Sequence, residues 1–262
     1  DQDDRLVQVS DSTGAAVEYS YNSHNQRTME KRKLGEDLYQ IFRWKYDPAG
    51  RMVELSRSMD RPDGSRGFAV SRYDYDKNGN VIKIQTPTGG QVLREYDAVD
   101  RLIAETHIDK TAGIHNRTEF AYDKAGNLVE ITDNQGRRTR VEYDLLNREI
   151  RRIEKDGGVT RSFYDGNGNL SKVVWPNQYD PQTDDGAGYQ YTCDHKGRVL
   201  TVVGPNGHVL QTNTYDKEGR LLQQLDGLQT GAEFTYDLAG NRTHIRTSGG
   251  AAQKLAYDAR GN

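Results

Sequence analysis

One stretch of the sequence has oxygen-bearing side chains at the spacing of a calcium-binding loop. Residues 74–81, DYDKNGNV, fit the first eight positions of an EF-hand loop, including its glycine and its apolar eighth residue. The twelfth position should be a bidentate glutamate but is Gln85, and no helix-forming pattern flanks the stretch. The parallel copy around Asp165 has Phe163 where the first ligand should stand. We therefore expect no calcium ion here.

The other residues that could bind a metal or act as catalysts do not converge. Asp180, Asp184 and Asp185 lack the alternate spacing that points several oxygens at one cation, and the single cysteine, Cys193, replaces a tyrosine in a repeated motif. No nucleophile elbow, phosphate loop or dinucleotide fingerprint occurs, so we expect no enzyme, no metal and no cofactor. The histidines lie at unrelated positions without zinc spacing: His24, His107, His115, His195, His208 and His244.

Aromatic side chains suggest one binding hypothesis. Trp44, Trp175 and Tyr179 could act as stacking platforms for a glycan, close to two stretches that are longer than their counterparts elsewhere, residues 60–66 and 175–188. Both stretches are interpreted as loops that protrude from the end of a hairpin. If the chain has a ligand site, these loops are where we expect it.

A turn motif recurs along the chain and must position all of these residues. In residues 122–128, YDKAGNL, the Asp123 carboxylate can accept a hydrogen bond from the backbone two residues on, and Gly126 stands where a reversing chain needs positive φ. The pattern predicts a type I turn followed by a left-handed bulge residue, which joins two antiparallel strands. The predicted structural turn residues are Tyr46, Asp47 and Gly50; Tyr75, Asp76 and Gly79; Tyr122, Asp123 and Gly126; Tyr164, Asp165 and Gly168; Tyr215, Asp216 and Gly219; Tyr236, Asp237 and Gly240.

The glycine position of the motif tolerates only residues that suit a left-handed conformation. Asn25, Asp100 and Asn147 replace the glycine, and Asn and Asp adopt this conformation most readily after glycine. Gly197 holds the position in the copy that contains no tyrosine, and Gly261 holds it in the last copy. The exceptions therefore support the predicted turn.

The motif returns at a step of 21 residues, as from Tyr122 to Tyr143 to Tyr164, with longer steps elsewhere. A second turn lies about halfway through each repeat, for example at residues 133–136, so each repeat is predicted to be one hairpin of two short strands. The strand that enters the main turn alternates, as in residues 138–143, which predicts aromatic side chains on one face and charges on the other. A period of this size indicates an array of stacked units.

Composition limits both the core and the partners. Hydrophobic residues make up 34% of the sequence and the net charge is −3, which predicts a thin core, while the small charge and the regular turns argue against disorder. Lys and Arg are interleaved with Asp and Glu, so no nucleic-acid or membrane-binding face is predicted. No apolar run approaches the roughly 18 residues needed to cross a bilayer.

The predicted fold is all-β, with antiparallel hairpin repeats of about 21 residues coiled into a spiral that forms part of a hollow shell wall. About twenty strands at about 4.8 Å would make a ribbon too wide to stay open and flat. The repeats run without a compositional break, which predicts a single array over residues 1–262, truncated at both ends. The alternative is a β-propeller with two repeats per blade, although its doubled period is not apparent.

The Tyr-Asp-x-x-Gly-Asn/Arg-Leu copies, with Pro-Asn-Gly type turns between them, resemble the YD repeats of rearrangement hot spot (Rhs) proteins, of the C components of bacterial toxin complexes and of teneurins. The resemblance covers essentially the whole chain. It implies a β-sheet spiral within a hollow shell, which in bacterial members houses a C-terminal toxin domain. The core segment with self-cleaving aspartates that follows the repeats in that family has no counterpart here, so self-cleavage is not carried over.

Two functions are consistent with the sequence. The first is a non-catalytic shell segment of a secreted or cell-surface bacterial toxin, whose partners are the rest of the shell and an enclosed C-terminal toxin or effector domain. The second is an adhesion or carbohydrate-binding module that uses the aromatic platforms. Neither function involves nucleic acid, membrane insertion by this chain or a cofactor.

Overall fold

The computed structural model of the protein describes residues 1–12, 14, 16–35, 38–60 and 65–257. Every regular element in these ranges is a β-strand, as expected from short period-two segments separated by Asp, Asn and Gly. The same ranges contain no helix long and apolar enough to cross a membrane. The chain divides into two compact units, Asp1–Ala121 with Glu130–Arg137, and Tyr122–Val129 with Arg138–Asn262.

In the first unit, each strand from β1 to β10 pairs antiparallel with the next. A continuous ladder of ten strands is incompatible with separate four-stranded blades, so the propeller alternative is wrong. The strands are β1 (Gln8–Ser10), β2 (Ala16–Tyr21), β3 (Arg27–Lys33), β4 (Tyr39–Tyr46), β5 (Met52–Asp60), β6 (Arg66–Tyr75), β7 (Val81–Gln85), β8 (Gln91–Tyr96), β9 (Leu102–Asp109) and β10 (Ile114–Tyr122).

The second unit repeats this arrangement. Consecutive strands again pair antiparallel, except that β15 pairs with β18 because β16 and β17 form a separate two-stranded hairpin. The remaining strands of the chain are β11 (Leu128–Thr132), β12 (Arg138–Tyr143), β13 (Glu149–Ile153), β14 (Val159–Tyr164), β15 (Leu170–Val174), β16 (Tyr179–Asp180), β17 (Asp185–Gly186), β18 (Tyr189–Cys193), β19 (Val199–Val203), β20 (Val209–Tyr215), β21 (Leu221–Asp226), β22 (Gly231–Tyr236), β23 (Arg242–Thr247) and β24 (Ala252–Lys254).

A shift of register marks the end of the strand that enters a main turn. Between Lys45 and Tyr46 the pairing slips by one residue, so that Tyr46 faces Met52. The same slip occurs immediately before Tyr164 and before Tyr236. This is the bulge that a type I turn with a left-handed residue introduces into a hairpin, and it fixes the direction in which each tyrosine leaves the strand.

The core is thin, as composition predicts. The buried apolar side chains among the described residues are Ala104, Val141, Val173 and Val174. The alternation predicted for strands that enter a main turn does not extend to β3, which leaves one. Its Glu30 lies opposite the aromatic residues Tyr19 and Phe42 and is only 5% exposed. Strand β3 is strongly polar, and the Glu30 carboxylate is accommodated because the guanidinium groups of Arg27, at 3.0 Å, and Arg32 pair with it.

Candidate functional site

The main turns share one hydrogen-bond pattern, which the turn at Asp47 illustrates. The Gly50 N–H donates to the Asp47 carbonyl at 2.9 Å, and the Asp47 N–H donates to the Arg51 carbonyl at 2.9 Å. The φ of Gly50 is 82°, in the left-handed region. The Asp47 Oδ1 accepts the Arg51 backbone N–H at 2.9 Å, and its Oδ2 pairs with the Arg51 guanidinium at 2.7 Å. The Asp47 carboxylate thus stabilises the turn by binding both the backbone N–H and the side chain of Arg51.

The same geometry recurs along both units. At Gly126, φ is 95° and an added Cβ would meet nothing within 4 Å, so the need for glycine there is conformational rather than steric. Positive φ is also found at Gly79, Gly168, Gly197, Gly219 and Gly240, and at the replacements Asn25, Asp100 and Asn147. The aspartates that accept the backbone N–H four residues on include Asp76, Asp123, Asp165, Asp216 and Asp237. The predicted Gly261 lies outside the described residues.

The residue directly after the left-handed position, here called the clamp residue, connects successive turns. The clamp Arg51 holds its own Asp47 and also donates from Nη1 to the Asp76 carbonyl of the next turn at 3.0 Å. The clamp Asn80 donates to the Oδ1 of Asp100 at 2.6 Å. The sequence motif contains this Asn or Arg, but local turn rules assign it no role. Its constant place after the left-handed residue is the signal that could have indicated one.

The tyrosine hydroxyls bind back to the preceding repeat. Tyr75 donates to the carbonyl of Met52 at 2.7 Å, and Met52 directly follows the clamp Arg51. Tyr164 donates to the Glu149 carbonyl at 2.9 Å in the same way. The other hydroxyls with this geometry belong to Tyr21, Tyr46, Tyr96, Tyr143, Tyr215 and Tyr236. These tyrosines therefore join neighbouring hairpins. Tyr122, the remaining predicted turn tyrosine, also interacts with other residues.

Clamp arginines also pack against the tyrosine of the next turn. The Arg148 guanidinium carbon lies 4.3 Å from the ring centre of Tyr164, and the Arg220 carbon lies 5.0 Å from that of Tyr236. A guanidinium over an aromatic face within about 6 Å is a favourable cation–π contact. We call the repeated set of turn aspartate, clamp residue and following tyrosine the turn ladder. Within each unit it links neighbouring hairpins by hydrogen bonds to side chains and backbone.

The electrostatics of the turn ladder favour ionised carboxylates. Hydrogen bonds from the side chain and backbone of Arg148 lower the pKa of Asp144, and the side chain of Arg198 lowers the pKa of Asp194 to about 2. Burial raises the pKa of the Cys193 thiol, which keeps it protonated near neutral pH. A general acid or base needs a pKa close to the working pH, and the turn aspartates are shifted away from it. The arrangement is suited to holding backbone together rather than to proton transfer.

The calcium-like stretch is explained by the same turn. The Asp76 Oδ1 accepts the N–H groups of Asn78 and Asn80, each at 2.9 Å, and its Oδ2 accepts the Asn80 side chain at 3.0 Å. Both oxygens of this carboxylate therefore accept hydrogen bonds within the hairpin. Within the described ranges, no three His, Cys, Asp or Glu residues gather in a way that could hold a metal ion.

The long stretch at residues 175–188 folds back onto the sheet instead of protruding, which corrects the sequence interpretation. Asp184 reaches Arg161 on strand β14, where carboxylate and guanidinium lie 3.0 Å apart. The close approach requires Gly186, since an added Cβ there would lie 1.9 Å from the Gln178 carbonyl oxygen. In the other long stretch, Asp60 and Arg66 pair at 3.3 Å, and residues 61–64 lie outside the described residues.

The three candidate glycan platforms differ in their surroundings. In the first unit, Trp44 stacks on Phe42 with ring centres 6.2 Å apart and lines an open groove of about 670 Å³ between the turns at residues 22–26 and 46–50. In the second unit, Trp175 is 48% exposed. The Tyr179 hydroxyl donates to Asp184 at 2.6 Å, so this ring is fixed within the loop.

The repeats are similar to those of one protein family and to parts of two solved structures. A family model described as the teneurin YD-shell matches residues 1–210. The Tc holotoxin pore of Photorhabdus luminescens, with a TccC3 mutation, is similar at a TM-score of 0.59 and 14% identity over 95% of this chain and 14% of that chain. TcdB2-TccC3 without its hypervariable C-terminal region is similar at a TM-score of 0.53 and 12% identity, over 100% of this chain and 16% of that chain. No match was found among curated proteins.

The chain thus spans less than one fifth of the length of either solved chain, and a likeness at this identity shows the fold alone. It confirms the all-β hairpin array of the shell type that the repeats predict. The family model matches 210 of 262 residues, and the matched part contains the turn ladder from Asp47 to Gly197. The chain therefore belongs to the teneurin YD-shell family.

Proposed function

We propose that this chain is a non-catalytic wall segment of a larger shell that encloses a C-terminal toxin or effector domain. In this proposal the complete protein is exported as a secreted or cell-surface bacterial toxin, and the chain's partners are the rest of its shell and the enclosed domain. One of the structures with the same fold is TcdB2-TccC3 without a hypervariable C-terminal region, and that region is where the proposal places the cargo.

The observation that carries the proposal is the turn ladder. A sheet whose described part buries four apolar side chains cannot depend on a deep core, yet contacts such as that of Tyr236 with the Leu221 carbonyl, at 2.8 Å, tie each hairpin to the one before it. A sheet that is stabilised by a row of turns at its strand ends does not need to bury either face against a core. One face can then border the cargo while the other borders solvent. The turn aspartates serve this architecture and perform no chemistry.

The test uses the full-length protein and a protease. We expect the region C-terminal to the shell to resist digestion under conditions that degrade the same region expressed alone. Gly231→Ala should abolish this protection, because an added Cβ would lie 1.9 Å from the Gln224 carbonyl oxygen and prevent β21 and β22 from pairing. Gly240→Asn, at an open left-handed position, is the matched control that should retain it. Digestion of the C-terminal region in the full-length protein as fast as in the isolated region would contradict enclosure.

A carbohydrate-binding module is the competing proposal, and the groove beside Trp44 is the observation in its favour. Glycan-array screening and calorimetry distinguish the two functions. Micromolar sugar binding that is lost in Trp44→Ala or Trp175→Ala would support the module. Binding that survives both substitutions would remove these aromatic platforms from consideration.

A further inference from the structure

Three cations meet on one face of the sheet in the second unit. Arg151 on β13 pairs directly with Arg161 on β14, and Arg161 pairs with Val174 on β15, so their side chains share one face. Lys172 lies two residues from Val174 and therefore on the same face. The Arg161 guanidinium carbon and the Lys172 Nζ lie 5.2 and 5.4 Å from the ring centre of Phe163, which fixes both cations. We call Arg151, Arg161 and Lys172 the cationic patch.

Residues 175–188, here called the strap, supply two adjacent carboxylates to this patch. The Asp184 carboxylate lies 3.0 Å from Arg161 Nη2 and 3.6 Å from Arg151 Nε. The neighbouring Asp185 lies 2.7 Å from Lys172 Nζ. In the described part of the chain, Glu142 is the only acidic residue of the sheet that pairs with the patch, 3.2 Å from Arg151. The strap therefore contributes most of the negative charge that these cations meet.

The fit between the strap and the sheet is incomplete. The Nε of Arg151 and the Oε1 of Gln178 are buried, and neither has a hydrogen-bond partner in the described structure. The 3.6 Å separation of Arg151 Nε from Asp184 is too long for a hydrogen bond. Burying polar atoms without hydrogen-bond partners costs free energy, so the strap on the patch is less stable than an arrangement in which these atoms form hydrogen bonds. The strap thus supplies charges that complement the patch but leaves one donor of the patch, Arg151 Nε, without a hydrogen bond.

We propose that the cationic patch is a docking surface for an acidic peptide segment with two adjacent carboxylates, and that the strap covers the patch until such a segment from outside this chain displaces it. Arg161 and Lys172 receive one carboxylate each, as they do from Asp184 and Asp185. The unused Arg151 Nε gives the incoming segment a hydrogen bond that the strap does not make. The inference does not depend on whether the shell encloses a cargo.

The test measures fluorescence anisotropy of a labelled peptide with the strap's own sequence, residues 179–186, YDPQTDDG. Asp184→Asn combined with Asp185→Asn removes the built-in competitor, and we expect this variant to bind the peptide at least tenfold more tightly than the original chain. Binding should weaken as salt rises and should be lost when Arg161→Gln is added. Asp180→Asn is the matched control, because that carboxylate contacts Gln182 and Thr183 rather than the patch.

Two outcomes would overturn the proposal in a variant that keeps its β-sheet circular dichroism. They are equal binding to the original chain and the double variant, and binding that Arg161→Gln leaves unchanged. If the double variant does not fold, excess peptide is added to the original chain and hydrogen exchange of the strap is followed. Faster exchange of residues 175–188 supports displacement, whereas unchanged exchange contradicts it.

Discussion

The hydroxyl of Tyr164 gives the most direct test of the turn ladder, because Tyr164→Phe removes it and leaves the ring in place. The hydroxyl donates to the Glu149 carbonyl of the preceding hairpin at 2.9 Å. The ring remains beside the Arg148 guanidinium, whose carbon is 4.3 Å from the ring centre. Arg148 also stays paired with Asp144 at 2.6 Å. The substitution therefore deletes one contact between consecutive hairpins and preserves the others.

The expected loss of stability follows from this single contact. A half-buried hydroxyl-to-carbonyl hydrogen bond contributes a net 0.5–1.5 kcal/mol, so Tyr164→Phe should cost about 1 kcal/mol. Tyr164→Leu should cost about 2–3 kcal/mol, because it also removes a cation–π contact of about 0.5–1 kcal/mol and part of the buried ring surface. The difference between the two variants separates the hydroxyl from the ring.

Native-state hydrogen exchange followed by mass spectrometry is the appropriate measurement. In a repeat array each unit is stabilised mainly by its neighbours, so a local change should raise local opening and leave distant strands unaffected. A loss of about 1 kcal/mol corresponds to about fivefold faster exchange, since 1.4 kcal/mol is a factor of ten. We expect this acceleration in residues 144–164 and none in strands β2–β4. A single melting temperature would average the effect over the array.

Tyr191→Phe is the control, because the Tyr191 hydroxyl makes no hydrogen bond with the described part of the chain. It should change exchange little anywhere. Unchanged exchange around Glu149 in Tyr164→Phe would show that the hydroxyl does not stabilise the ladder. A uniform increase along both units would show that the chain unfolds as one cooperative body, and either result would refute the reasoning.

Three further predictions concern the turn charges, the turn glycines and the strap. The Arg198 side chain lowers the pKa of Asp194 from 3.8 to about 2. A carboxyl group whose pKa is lower in the folded state stabilises the fold at pH values above its unfolded pKa, and this contribution is lost as the pH falls toward the folded pKa. The β-sheet circular dichroism signal should therefore stay constant from about pH 7 to 5 and decline only between about pH 4 and 2. Gly240→Ala should cost about 1 kcal/mol in denaturant unfolding because φ is 91°, while Gly240→Asn should cost less. Gly186→Ala should raise hydrogen exchange of residues 175–188 while leaving β22 and β23 unchanged, and protection of the strap in this variant would contradict the close approach.

The left-handed turn positions could be predicted from the sequence because their requirement is local. A glycine that is replaced only by Asn25, Asp100 or Asn147 identifies positive φ without any knowledge of the fold, and each of these residues has a φ between 60° and 63°. The same holds for the hairpin period, since turn chemistry and strand alternation act over a few residues. Continuous pairing of the strands could also be predicted, because a propeller with two repeats per blade would require a doubled period that the sequence does not show.

The contacts between repeats could not be predicted in this way. Tyr75 finds the Met52 carbonyl only because the bulge before the turn turns its ring toward the preceding hairpin, and that depends on register. The strap likewise returns to the sheet because Arg151 and Arg161 lie opposite each other, which only the strand pairing reveals. The turn at Asp226 shows a further limit: Gln229 takes the left-handed position with φ of 61°, although Gly231 is the residue that sequence rules favour.

The clamp residues reveal a dependence between neighbouring repeats. The short Asn80 can reach the next turn because Asp100, its left-handed residue, offers a side-chain oxygen at 2.6 Å. The longer Arg220 precedes a turn whose left-handed residue is Gly240, without a side chain, and instead reaches the Asp237 carbonyl at 3.2 Å.

Clamp length therefore complements the residue it must meet, although three pairs depart from the simple form. Gln26 precedes a turn with Gly50 and donates to the Gly50 carbonyl at 2.7 Å. Arg5 contacts both the Asn25 side chain at 2.9 Å and the Asn22 carbonyl at 3.3 Å, and Asn169 precedes a turn with Gly197. These contacts are exposed or only partly buried, and each is weak by itself. Because each clamp must suit the turn that follows it, the repeats are constrained in pairs, and a polar ladder of this kind can hold a sheet together where a thin core cannot.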